Sequence, residues 1–181
     1  MSTSKDNFYV ITGGPGAGKT TLVEGLSLQG AQYIQEVARV IIKEQVSIKG
    51  DALPWGDQNK YSELMIKRSV RDFIEHLGKR ENFFFDRGIL DTIAYLDLIG
   101  KPIPDSFTKY ALQYRYNSLV FILPPWEEIY SKDSERKQDY QEAVDTFRVM
   151  KKTYDRFQYK TIEVPIGKVE DRVQFVLNHV S

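Results

Sequence analysis

The run Gly13-Gly14-Pro15-Gly16-Ala17-Gly18-Lys19-Thr20 has the residue types and the spacing to hold a polyphosphate. It fits G-x-x-x-x-G-K-[ST], in which residues without bulky side chains let the backbone wrap an anion and turn successive N–H groups toward it. Gly13, Gly14, Gly16 and Gly18 supply that freedom, Pro15 and Ala17 complete the loop, and a helix starting near Lys19 adds its positive N-terminal end. The motif predicts that Lys19 reaches the β- and γ-phosphates of ATP or GTP and that the Thr20 hydroxyl ligates Mg2+, with Thr21 a candidate for the α-phosphate. The guanine-reading Asn-Lys-x-Asp pattern is absent, since Asn59-Lys60 is followed by Tyr61-Ser62, and ATP is the expected nucleotide.

Two further groups of charged residues close apolar runs. Gln35-Glu36 ends one run and Arg39 follows a helical turn later; Phe83-Phe84-Phe85 ends in Asp86-Arg87-Gly88. An acid closing a strand helps hold magnesium in proteins with such a loop, so Asp86 has two candidate jobs, organising the metal with Thr20 or accepting the proton of an attacking hydroxyl or water. Glu36 competes for the second job. Its plainer role is to cap a helix and pair with Arg39 at the surface. Arg87 offers a planar fork to a phosphate or carboxylate, and Asp91, four residues on, is a candidate to hold it. Glu36, Arg39 and Arg87 together are the expected acceptor-binding residues. Downstream, residues 132–137 form a polar stretch from Lys132 to Lys137, which is either a solvated segment or a lid that brings Arg136 to the transferring phosphate. His76 and His179 stand far apart with no zinc-ligand spacing around them.

These residues need a scaffold that gathers strand ends. Short apolar runs at residues 8–11, 32–35, 83–85, 119–123 and 161–164 read as strands, and the segments between them have helical periodicity. Residues 57–77 put Tyr61, Leu64, Met65, Phe73 and Leu77 largely on one face. Tyr140, Ala143, Val144, Phe147, Met150, Tyr154 and Phe157 do so more cleanly, and Val169, Val173, Val176, Leu177 and Val180 repeat the spacing. All are expected core. The alternation predicts one α/β domain over residues 1–181, a parallel sheet with helices on both faces and its ligand beyond the carboxyl ends of the strands. Order is expected throughout except in the short polar segment 1–6.

The ordered set of GGPGAGKT, QEVAR, FFFDRG and PPW with the Arg136 segment spans nearly the whole chain and resembles the P-loop ATPases grouped under the AAA label. More distantly it is similar to the nicotinamide riboside kinase domain and to nucleoside and nucleotide kinases. The resemblance implies sheet order 2-3-1-4-5, a phosphoryl-transfer role for Asp86 and Arg87, and a charged lid carrying Arg136 and Lys132. Position 88 is glycine where those kinases commonly have serine or tyrosine, and no nucleoside-reading segment stands out. The large second region and sensor elements of ring-forming AAA machines are also not found, so a hexameric unfoldase is not expected.

Composition narrows the classes of function. Lys plus Arg and Asp plus Glu each total 25 with no long block of either sign, which predicts no bulk attraction to nucleic acid or an anionic membrane. The chain has no cysteine, hence no disulfide or thiolate metal site, and no apolar run of about 20 residues for a membrane span. A cytoplasmic location is expected. The leading expectation is a kinase that moves the γ-phosphoryl group of ATP to a nucleoside- or nucleotide-like small molecule. Glu36 or Asp86 would be the base, and Lys19, Arg87 and Arg136 would stabilise charge. The alternatives are a nucleotide-hydrolysing switch or a non-catalytic nucleotide-binding module acting on a protein partner.

Overall fold

Five parallel strands form the central sheet of a computed structural model that describes residues 2–130 and 134–180, with the side chains of residues 129–139 outside that description. In chain order the elements are β1 (Thr3–Ser4), β2 (Phe8–Gly13), α1 (Lys19–Leu28), β3 (Gln32–Ile34), α2 (Val37–Ser47), α3 (Gln58–Glu75), β4 (Phe83–Asp86) and α4 (Ile89–Leu98). They continue with α5 (Asp105–Gln113), β5 (Tyr114–Arg115), β6 (Leu119–Leu123), α6 (Glu127–Tyr130), α7 (Ser134–Arg156), β7 (Lys160–Glu163) and α8 (Val169–Leu177). The sheet runs β3-β4-β2-β6-β7, the expected order 2-3-1-4-5 once its strands are numbered alone.

Every residue of β2 is buried because the strand is covered on both faces. The alternation of side chains along a strand then divides the core in two. Phe8 and Val10 join Phe83, Phe85, Ile93 and Tyr154 on the face covered by α3, α4, α5 and α7. Tyr9 and Ile11 join Leu22, Phe84, Phe121 and Val173 on the face covered by α1 and α8. The chain winds outward in both directions from β2, so a crevice opens where β2 meets its neighbours, at the carboxyl ends of the strands.

The differences from expectation have local causes. β2 runs on to Gly13 and β4 to Asp86, whose partner in register is Ile11, so the acid belongs to the sheet itself. β7 starts one residue early and β3 stops at Ile34. The Asp57 side chain accepts the N–H groups of Asn59 and Lys60 and thereby starts α3 at Gln58. Leu64 is not a core residue: it is 36% exposed, and Ile66 and Val70 occupy inward positions instead. Residues 2–6 are ordered where disorder was expected, because β1 pairs with β5 in a separate parallel ladder and Lys5 donates to the carbonyls of Leu77 and Lys79.

Candidate active site

Between β2 and α1 the chain turns through the glycine loop. Gly18, with φ 79, adopts the left-handed conformation that an L side chain resists, and it caps α1 with no side-chain bond. The first N–H groups of α1 therefore lack a protein side-chain acceptor, the usual condition for an anion site. Lys19 is 7% exposed, and its ammonium donates to the Gly14 carbonyl at 3.4 Å. Burial, helped by the neighbouring Arg87 charge, pushes its pKa from 10.5 down to about 8, against the pull of Glu36, Asp86 and Asp91. Among the described residues no carboxylate pairs directly with this ammonium, and an arriving phosphate would add to the pull of those three.

Beside the loop, the end of β4 presents a charge cluster. Arg87 has φ 71, an arrangement that costs about 1–2 kcal/mol for a residue with a Cβ. Its N–H donates to Ile11 at 2.9 Å, its Nε to Glu36 at 2.6 Å and its Nη1 to Asp91 at 3.2 Å. Asp91, 6% exposed, also accepts from Tyr154 Oη at 2.6 Å, from the Gly88 N–H at 2.8 Å and from Thr12 Oγ1. Burial opposes the charge on Arg87, but Asp91 and Glu36 outweigh it and hold the guanidinium firmly protonated. Burial would raise Glu36 too; Arg87, Lys19 and Arg39 overcome it and keep Glu36 below the usual carboxylate range. Asp86 goes the other way. Its burial and the nearby Glu36 charge lift its pKa despite Lys19.

Two cavities meet at Glu36. One, of about 220 Å³, is lined by Thr20, Glu36, Arg39, Lys43 and Asp86. The other, of about 260 Å³, is mostly apolar, with Tyr61, Met65, Tyr95, Leu98 and Met150 in its walls and Glu36 and Arg87 at one end. Burial pushes the Tyr61 phenol up to about 12, so it stays neutral there, edge-on to Tyr95 with ring centroids 5.6 Å apart. A hydrated cation fits the first cavity on one observation. Asp86 Oδ1 is buried and has no hydrogen-bond partner among the described residues, a costly state that a metal-bound water would relieve.

The residues singled out from the sequence mostly converge. Lys19, Thr20, Glu36, Arg39, Asp86 and Arg87 share this crevice, and Thr21 stands exposed in the first turn of α1. The surface pair Glu36–Arg39 does form, at 3.1 Å with Arg39 63% exposed, and Arg39 Nη2 also donates to Thr20 Oγ1 at 3.2 Å. Glu36 at the same time accepts from Arg87 of the next strand, and although it stands at the N-cap position of α2 its side chain makes no capping bond. Asp91 does hold Arg87. Lys132 and the Arg136 side chain lie outside the described residues. Gly88 has a spatial explanation: a Cβ there would stand 3.0 Å from Val10, 3.1 Å from Tyr154 and 3.2 Å from Tyr116.

Sequence reading missed the hydroxyls of Thr12 and Tyr154. Tyr154 sits in the apolar stripe of α7 and reads as core, which it is; only its bond to Asp91 reveals the second role. Arg172 was missed as well. It lies in α8, yet its Nη2 donates to the Ala17 carbonyl of the loop at 3.0 Å.

Comparison with known proteins agrees with this architecture. The family model described as AAA domain matches residues 8–172. No curated protein matches the chain in sequence. Among solved structures, NadR in complex with NR superposes with a TM-score of 0.69 at 16% identity, over 96% of this chain and 50% of that one, so the present chain spans half the length of NadR. Thymidylate kinase from Ehrlichia chaffeensis gives 0.62 at 16% identity, over 98% of this chain and 99% of that one. Deoxyadenosine kinase from M. mycoides gives 0.57 at 16% identity, over 95% and 98%. At such identities the likeness is one of fold, that of P-loop kinases.

Proposed function

The chain belongs to the AAA domain family, and from that premise we propose that it is a P-loop kinase that transfers the γ-phosphoryl group of ATP to a hydroxyl of a small, nucleoside-like molecule. One observation carries the reading: Glu36 lines both the cavity beside Thr20 and Asp86 and the apolar cavity walled by Tyr61, Met65 and Tyr95. A nucleotide switch needs the first cavity and has no use for the second. Among the described residues Arg87 is the sole cation lining the apolar cavity, and Glu36 and Asp91 already occupy it, which favours a neutral acceptor over a phosphorylated one.

The residues divide the work by their electrostatics. Glu36, kept ionised, accepts the acceptor's hydroxyl proton as that oxygen bonds to phosphorus and the bond to the ADP oxygen breaks. Lys19 and the loop N–H groups bind the phosphates, Arg87 holds Glu36 in position, and Arg136 is the sequence-based candidate to offset charge on the transferring group. Magnesium, held by Thr20 and through water by Asp86, would supply neutralisation of phosphate charge. Most of the catalysis would come from positioning and charge, because phosphoryl transfer needs little covalent help.

The test is magnesium-dependent transfer from γ-labelled ATP to a panel of nucleosides, nucleotides and nicotinamide riboside, with Lys19→Ala as control. Label on an acceptor hydroxyl, lost in the control, is the expected result. Phosphate released to water alone, or undiminished turnover by folded Lys19→Ala protein, would overturn the proposal.

A further inference from the structure

Arg172 is 4% exposed and reaches from α8 to the phosphate loop. Nη2 meets the Ala17 carbonyl at 3.0 Å, and a Cβ at Gly18 would stand 2.7 Å from Nη1, so the guanidinium lies directly against the turn. Its seat is rigid. α8 packs so closely on α1 that a Cβ at Gly25 would be 2.7 Å from Val173 and 3.0 Å from Val169.

What the guanidinium lacks is a counter-charge. Nε is buried with no hydrogen-bond partner among the described residues. Burial lowers its pKa, and no carboxylate among the described residues opposes that shift. A buried cation with one carbonyl for company is expensive unless an anion answers it, and the loop it touches is built to hold anions. Removing such a group from the ligand-free protein should therefore cost little or nothing in stability.

We propose that Arg172 is a positioning residue for the nucleotide phosphates, and that its missing counter-ion is the polyphosphate itself. This rests on the reading of residues 13–20 as a nucleotide site. By holding the Ala17 carbonyl toward α8, Arg172 keeps that peptide turned so that the loop's N–H groups face the ligand. Its charge adds an attraction that grows with the number of phosphates and is indifferent to the base.

The experiment compares wild type, Arg172→Met and Arg172→Lys by thermal unfolding without ligand and by calorimetric titration with ATP, ADP and AMP at fixed magnesium and salt. For Arg172→Met the ligand-free Tm should equal or exceed that of wild type. ATP affinity should fall about tenfold, roughly 1.4 kcal/mol, with a smaller loss for ADP and the smallest for AMP. Arg172→Lys should recover part of the ATP affinity, since it keeps the charge but not the fork. A ligand-free Arg172→Met protein that is less stable than wild type, or fails to fold, would make Arg172 a structural strut and overturn the proposal. So would unchanged ATP affinity, or an equal loss for all three nucleotides. Wild-type protein that binds none of them would instead remove the nucleotide site on which the inference rests, an outcome separate from any effect of the variants.

Discussion

Two arginines, Arg87 partly buried and Arg172 buried, approach the glycine loop from opposite faces of the sheet, and their surroundings differ in kind. Arg87, at the β4–α4 junction, lies between Glu36 at 2.6 Å and Asp91 at 3.2 Å, and Tyr154, Thr12 and Gly88 satisfy the rest of Asp91. Arg172, on α8, has one carbonyl and no carboxylate among the described residues. The first region is neutralised from within. Among the described residues the second has no carboxylate to answer its charge, and Lys19, though Glu36, Asp86 and Asp91 act on it, still has its pKa lowered by burial. In the proposed kinase reading, the acceptor side of the site is set by internal ion pairs, and the donor side by charge held in reserve for the nucleotide. Fixed pairing contributes shape; unanswered charge contributes affinity.

The strongest way to break this comparison is to remove the carboxylate at the junction of the two cavities. Glu36→Gln should lower phosphoryl transfer by about 10²- to 10⁴-fold while ATP binding, measured by titration, changes little. A large loss of ATP affinity instead would mean that Glu36 belongs to the donor side. Next in size is Arg87→Met, which strands two carboxylates, Glu36 at 12% and Asp91 at 6% side-chain exposure. Urea unfolding should report a loss of about 3–5 kcal/mol, in contrast to the neutral or stabilising effect expected of Arg172→Met. Equal losses at the two arginines would erase the distinction.

The smallest effect is one of pH, and it sharpens the donor side. With Lys19 held down to about 8 in the free protein, ATP binding favours its protonated form. Affinity should be greatest below about pH 8 and fall by up to about tenfold per pH unit above it. The same group acts oppositely on the ligand-free fold. Between about 8 and 10.5 the unfolded chain holds this proton and the folded chain does not, so the Lys19 contribution to stability rises with pH. Titrations across pH 7–9.5 in wild type and Lys19→Ala check both signs; a slope that survives in the variant would assign the effect elsewhere.

Legibility in the sequence followed the range of the interactions. β6 was read to the residue, because Leu119–Leu123 is a bare apolar run bounded by polar and proline residues. The strand end at Asp86-Arg87 stood out because an acid and a base closing three phenylalanines have no place in a buried strand unless they reach a site. Leu64 misled because a leucine at helical spacing looks like core, yet the face of α3 that turns inward depends on what packs against it. The short ladder β1–β5 gave no signal, since two residues have no period and their pairing joins distant parts of the chain. Tyr154 was visible as core and silent as a hydrogen-bond donor, because a phenol buried by its ring gives no hint of where its hydroxyl points.

The glycine loop was legible from the chain alone as the turn between β2 and α1, because its signal lies in consecutive residues: glycines relax steric limits on φ, and a lysine and a threonine follow at fixed steps. The pairing of carboxylates and arginines was not. Glu36 meets Arg87 across 51 positions and Arg172 meets Ala17 across 155, distances closed by the order of strands in the sheet and by the packing of α8 on α1. Residue types can say that a charge is present. Whether a buried charge is answered or left waiting is a property of the neighbours that folding assembles around it, and here that difference separates the two sides of the site.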